Sequence, residues 1–133
     1  MKDETIIWLN YADENYESAL VLLNSHLYNP VLQNIQQAIE KYLKAFFIDK
    51  GIKLQKTHNI LSLIEILNQN NIYININEDE IDLIDSIYLS SRYPFGSVLA
   101  DFEADESICK TCIDVMSKIK IDVKNHLKLD TND

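Results

Sequence analysis

Three histidines, two cysteines and a single arginine are the side chains of this sequence best suited to chemistry. The histidines are His26, His58 and His126, and none stands in an H-E-x-x-H or C-x-x-H setting, so a zinc hydrolase has no ligand pattern here. Di-iron sites in four-helix bundles need E-x-x-H repeats on facing helices, and the chain contains no E-x-x-H. A glycine-rich phosphate loop and a G-x-G-x-x-G turn are also missing from the sequence. Cys109 and Cys112 have the spacing of a redox couple or of half a metal site. A structural metal would need two further ligands, and no second pair exists. On a helix the two thiols share a face, and the surrounding run of Ile108, Cys112, Val115 and Ile119 reads as core. Core thiols, a reactive pair and a metal pair are the three readings, and the apolar flanks support the first.

His58 follows Lys53, Lys56 and Thr57 and precedes a predicted helix. Basic groups and the unpaired N–H groups of a helix start can together hold a phosphate or a carboxylate. The alternative is a solvated loop whose histidine makes one local, fold-fixing hydrogen bond. Lys41 and Lys44 lie three apart on the preceding helix, where lysine stems run along an apolar surface and present their charge at a rim. They read either as surface groups or as part of an anion or partner site. Glu40 stands one turn before Lys44 in the favourable orientation and can order it. Arg92 is flanked by Tyr93 and Phe95 in an aromatic segment. Its rigid, bidentate guanidinium suits a helix junction, a phosphate or an interface equally. His26 reads as an exposed helix-end group. His126 falls near the end of the last helix, where a cation complements the dipole. Carboxylate pairs abound, among them Asp13 with Glu14, Asp79 with Glu80 and Asp82 with Asp85; they read as solvated faces, and nothing selects one for acid–base work. No residue is assigned as catalytic, and no cofactor is implied.

These groups need helices to position them. Apolar periodicity predicts five helices. The first runs from Glu4 to Ser25, with Trp8, Ala12, Tyr16, Ala19, Leu20 and Leu23 on one side. The second, from Pro30 to Lys50, has a wide stripe built on Leu32, Ile35, Ile39, Leu43 and Phe46 and is expected to be central. Asn29 is its expected cap and Gly51 its expected stop. A third helix spans Asn59 to Asn68. The connection from Asn68 to Asn77 alternates weakly at Ile72, Ile74 and Ile76, and so reads as a short extended segment or an ordered loop. A fourth helix starts near Asn77, where Asn77 and Glu80 resemble a capping box, and breaks at Pro94. The fifth runs from Glu103 to Leu127, with acidic residues Asp101 to Glu106 complementing its start. The tail from Lys128 to Asp133 is expected to fray. The expected fold is therefore all-α: an antiparallel, up-and-down bundle of about five helices in one domain over residues 1–133.

Composition sets outer bounds. The chain has 133 residues, two glycines, two prolines and a net charge of −9. That charge opposes unaided binding to nucleic acid or to anionic membranes. No signal peptide and no uncharged transmembrane-length stretch is visible, which reads as a cytoplasmic protein.

Four segments, taken together and in order, resemble the HEPN domain family (higher eukaryotes and prokaryotes nucleotide-binding). WLNYADENYESALVLL, from Trp8 to Leu23, is similar to the family's opening helix. NIQQAIEKYLKAFFIDKG, from Asn34 to Gly51, resembles its QQAxEKxLKA helix. KTHNILSLI, from Lys56 to Ile64, and SSRYPFG, from Ser90 to Gly96, resemble its T-H and R-Y-P segments. The resemblance implies an antiparallel helical bundle, usually a homodimer. It also implies a small nucleotidyltransferase partner, in two-gene modules of which several look like toxin–antitoxin systems. Toxin-like members are metal-independent ribonucleases with an arginine and a histidine four to six residues apart. Here Arg92 is followed by YPFGSVLADF, with no histidine. The resemblance therefore implies a non-nuclease domain that binds a nucleotide or other anion, or the partner enzyme, through Glu40, Lys41, Lys44, His58, Arg92 and Tyr93. A ribonuclease with an atypical site, Arg92 working with a histidine from elsewhere in a dimer, is the alternative.

Overall fold

The computed structural model describes residues 2–54, 56–92 and 103–131, with side chains to residue 87 in the fourth helix and to residue 128 in the fifth. Among these residues there are five helices and no strand: α1 Asp3–Asn24, α2 Tyr28–Lys50, α3 Ile60–Gln69, α4 Glu78–Arg92 and α5 Glu106–Thr131. They form the up-and-down bundle that the periodicity predicts.

The wide apolar stripe of α2 makes it the mast of the bundle. Leu32, Ile35, Ile39, Tyr42, Leu43, Phe46 and Phe47 are all essentially inaccessible. A stripe that wide needs cover on several sides, and α1, α3, α4 and α5 all pack against it. The α1–α2 interface is the most extensive, and the small residues Ala12 and Ala19 let the two backbones approach there. Truncating Phe46 or Leu32 to alanine would cost about 3–5 kcal/mol, because a filled core cannot collapse around the void.

Capping decides most of the boundaries. Asn59 caps α3, its side chain accepting from Ser62 N at 3.1 Å. Asn77 and Glu80 form the reciprocal box at α4: Asn77 Oδ1 accepts from Glu80 N at 2.8 Å and Glu80 Oε1 accepts from Asn77 N at 2.9 Å. Asp105 caps α5 through Ile108 N at 2.8 Å, so α5 starts at Glu106 and not at Glu103. It also continues to Thr131, past the expected fraying point at Lys128. The start of α2 differs as well. Leu27 precedes the helix with no side-chain cap, so Asn29 lies inside the first turn and Pro30 at its third position. Proline is tolerated there because that N–H has no helical acceptor.

Three helices end in the same way. His26, Gly51 and Asn71 adopt the left-handed conformation, with φ of 59°, 68° and 63°. The next residue then bonds back: Leu27 N to Leu22 O, Ile52 N to Phe47 O and Ile72 N to Leu67 O. This is the Schellman closure. The segment after Asn71 is not a strand. Ile74 is buried, Ile72 and Ile76 are half-buried, and Tyr73 is exposed. The weak alternation thus describes a strap laid over the bundle, pinned where Asp122 of α5 accepts from Asn75 N at 2.7 Å.

Candidate functional site

Glu40 organises the polar centre of the molecule. Its side chain is only 6% exposed, at the α2 surface that receives the start of α3. Three donors converge on the carboxylate. Lys44 Nζ donates to Oε1 at 2.6 Å, one turn along the same helix. Gln36 Nε2 donates to Oε2 at 2.9 Å, one turn before it. His58 Nδ1 lies 2.9 and 3.0 Å from the two oxygens. Burial pushes the Glu40 carboxyl up, but the bonds from Lys44, His58 and Gln36 and the Lys44 charge outweigh it, and the group sits below the usual carboxylate range.

An ionised carboxylate only accepts, so Nδ1 of His58 carries the proton in this pair. The other ring nitrogen, Nε2, therefore accepts when the ring is neutral and donates when it is protonated. The His58 side chain is 53% exposed. Gln36 Nε2 also bonds the His58 carbonyl at 3.3 Å, fixing the loop backbone as well as the ring. His58 thus makes the fold-fixing hydrogen bond and keeps an exposed ring at once.

The N–H groups at the start of α3 are occupied by the protein itself. Asp85 of α4 accepts from Ile60 N at 2.7 Å and from Leu61 N at 3.2 Å; Asn59 takes Ser62 N. The carboxylate that this helix start holds is therefore Asp85, and the expected anion site on its backbone is already filled. Burial raises the Asp85 carboxyl and neighbouring Asp82 adds to the rise, while the two backbone bonds pull against it.

Lys41 and Lys44 part company. Lys44 is buried against Glu40, not snorkelling at a rim. Lys41 turns to α1, donating to Asn15 Oδ1 at 2.7 Å and lying 5.9 Å from the Tyr11 ring centroid. Arg92 is the last residue of α4, two turns beyond Asp85 and so on the same side of that helix. Its side chain, and all of Tyr93, lie outside the described residues. Lys53, Lys56 and His58 share one exposed loop.

Several carboxylates that read as solvated are engaged. Asp13 accepts from the Tyr42 hydroxyl and from Lys124 Nζ, the latter at 2.8 Å, which ties α1 to α2 and α5. Burial raises Asp13, but the bonds from Lys124 and Tyr42 bring it below its ordinary value. Burial and the Asp13 bond together push the Tyr42 hydroxyl far up. Lys118 bridges to Glu80 across α4 and α5. Cys109 and Cys112 are buried and unpaired with each other, and burial pushes their thiols up to about 11 and about 12. This is the core reading. Among the described residues, no group of three or more His, Cys, Asp or Glu could hold a metal ion. No helix there is long and apolar enough to cross a membrane.

The HEPN domain pattern matches residues 6–126, nearly the full span of this bundle and all of the groups just described. The chain belongs to the HEPN domain family. Two solved structures share the HEPN fold seen here. One is the protein TT1696 from Thermus thermophilus, with a TM-score of 0.76 at 24% identity over 93% of this chain and 98% of that one. The other is ST0689, an archaeal HEPN homologue, with a TM-score of 0.71 at 24% identity over 96% of this chain and 100% of that one. No curated protein matches the sequence. Within this HEPN bundle, reading the sequence missed Gln36, Asp85, Asp13 and Tyr42. Gln36 had a usable signal: it stands four residues before Glu40, as Lys44 stands four after it.

Proposed function

We propose that this HEPN domain is a non-catalytic binding module that takes a nucleotide or comparable phosphate-bearing anion. The site is the face made by the α2–α3 loop and the end of α4. The observation that carries the reading is the anchored His58. Buried Glu40 holds Nδ1, so the ring is preorganised while half of it faces solvent. Lys53 and Lys56 on the same loop give a local positive field in a chain whose net charge is −9, and Arg92 ends the adjoining helix. Glu40 is committed to Lys44, Gln36 and His58, so it orders the site and does not meet the ligand. The family resemblance adds a small nucleotidyltransferase partner, in a two-gene module of toxin–antitoxin type, and a homodimeric state. Exposed Ile6, Ile7 and Tyr11 on α1 offer apolar surface for association. Calorimetric titration with ATP tests the ligand: His58→Ala and Arg92→Ala should each weaken binding about tenfold, the loss of one charge-assisted hydrogen bond. Unchanged affinity in both variants would sink the site. Recovery of a nucleotidyltransferase in defined ratio from native extract tests the partner.

One observation favours a second reading. Glu40 and His58 have the geometry of a base oriented by a carboxylate, within the same chain as Arg92. A metal-independent ribonuclease built on that pair would cleave RNA in the presence of EDTA and lose activity in His58→Ala. Intact RNA in that assay removes the reading.

A further inference from the structure

Charge and exposed apolar surface coincide on α1. The helix carries Asp3, Glu4, Asp13, Glu14 and Glu17 and no basic residue. Asp13 turns inward to Tyr42 and Lys124, whereas Glu14 and Glu17 are exposed. Ile7, Tyr11, Glu14, Ser18 and Val21 recur at alternating intervals of four and three, so they form one ridge within about 80° of the helix circumference. All five are exposed, the apolar members Ile7, Tyr11 and Val21 at 50%, 54% and 63%. At the C-terminal end of the ridge lies a shallow hollow of about 420 Å³, lined by Glu17, Ser18, Val21, Leu22 and Asn34.

That spacing is the seam along which one helix packs on another at a shallow angle. The charges select the partner. In a second copy packed antiparallel about a dyad at the centre of the ridge, the two Glu14 carboxylates would face each other, and each chain brings a net charge of −9. Like charges at such a seam oppose the pairing. A helix bearing basic residues meets no such penalty. Its apolar side chains cover Ile7, Tyr11 and Val21, one of them enters the hollow, and its lysines or arginines reach Glu14 and Glu17. Basic residues of the chain itself that pack beside α1 are committed: Lys41 donates to Asn15 Oδ1 at 2.7 Å and lies 5.9 Å from the Tyr11 ring centroid, and Lys124 donates to Asp13. Asn34 is committed too, to Asn15 and to Pro30 O, so the hollow offers a partner the apolar wall of Val21 and Leu22 and the Glu17 carboxylate.

We propose that the outer face of α1 docks a basic amphipathic helix of another protein. The inference rests on the reading of α1 as an association surface and names what associates there. It shares no residue with the phosphate-binding face proposed above, so failure of ATP to bind leaves it standing. The test is an NMR titration of the isotope-labelled full chain with a three-heptad helical peptide that has leucine at positions a and d and lysine at e and g. A twin peptide with glutamate in place of lysine is the control. The lysine peptide should give saturable shifts at Tyr11, Glu14, Ser18 and Val21, and the glutamate twin none. Val21→Asp and Glu14→Lys, both at exposed positions, should each weaken binding about tenfold. The remaining resonances of each variant report that the fold is intact. The exposed acids Asp79 and Asp82 at the start of α4 are the internal reference for charge alone. Absence of saturable shifts on α1 would overturn the proposal, as would equal shifts at Asp79 and Asp82 or equal binding of the glutamate twin. Broadening of the same α1 resonances as the chain alone is concentrated would assign the face to a second copy and overturn it too.

Discussion

Replacing Glu40 by glutamine tests the polar centre most directly. The substitution keeps shape and one acceptor oxygen but removes the charge that Lys44 faces at 2.6 Å. The Lys44 side chain is only 11% exposed, so water cannot replace the lost counter-charge without local opening. Removing one member of a buried pair costs about 3–5 kcal/mol. The retained amide oxygen places Glu40→Gln at the lower end, about 3 kcal/mol. With a urea slope of about 1.5 kcal/mol/M for a small domain, the unfolding midpoint should fall by about 2 M at constant slope. Trp8, the single tryptophan, sits half-buried on α1 and reports the transition by fluorescence. The pH dependence has a definite sign. The folded carboxyl lies below its ordinary value of 4.5. Its contribution is therefore complete above that value and is lost as pH falls through the folded one. The gap between variant and wild type should stay level near neutrality and close in acid. The double variant Glu40→Leu with Lys44→Met should lose less than Glu40→Gln, because no uncompensated charge remains. A midpoint within about 0.5 M of wild type for Glu40→Gln would refute the reasoning, since a carboxylate holding a buried ammonium cannot be neutralised so cheaply.

Four further outcomes follow from contacts elsewhere. Asp85→Ala should cost about 1–2 kcal/mol, because Ile60 N and Leu61 N lose their acceptor, while Asp85→Asn should cost less than half of that; equal losses in urea melts would show that the charge, not the bonds, matters. His26→Gly should raise the melting temperature, since a side chain at φ 59° carries about 1 kcal/mol of strain; a lower melting temperature would mean that the hydrogen bond between His26 Nδ1 and the Tyr28 hydroxyl, 3.0 Å long, outweighs it. Tyr42→Phe should destabilise by about 1–2 kcal/mol by leaving Asp13 short of a donor, checked by calorimetry. Cys109 and Cys112, with thiols near 11 and 12, should resist iodoacetamide at about pH 8 in the native protein and react on unfolding; rapid native labelling by mass spectrometry would contradict their burial.

What could be read from the sequence was local. The Asn77–Glu80 box and the Gly51 stop complete themselves within five residues, so spacing reveals them; the cap role of Asn59, read as the first residue of the helix, was missed. The α2 start misled because Asn29 is a good cap type, whereas the register that puts Leu27 at the cap position is set by the turn arriving from α1. At the site, the Glu40–Lys44 bridge was visible as a one-turn pair. Closure by His58 from 18 residues away and by Asp85 from 25 residues away depends on helix packing. The split between Lys41 and Lys44 shows the same limit. Three residues is short of a full turn, so the two face about 60° apart, and which neighbour each meets depends on where α1 and α3 dock.

The three-residue turn from Ser25 to Leu27 also sets an order of assembly. The largest interface in the molecule joins two helices adjacent in the chain, so its loop closes at small entropic cost. The α1–α2 hairpin should form early and template the rest, with α5 arriving last from the far end of the sequence. In the opposite direction, a release of α5 from α2 would leave that hairpin in place. Such a release would bare Cys109 and Cys112, which are buried in the closed bundle. The two buried thiols thus report on one interface: native alkylation faster than global unfolding would mark the detachment of α5 as a separate event, and alkylation at the global rate would show that the bundle opens as one unit.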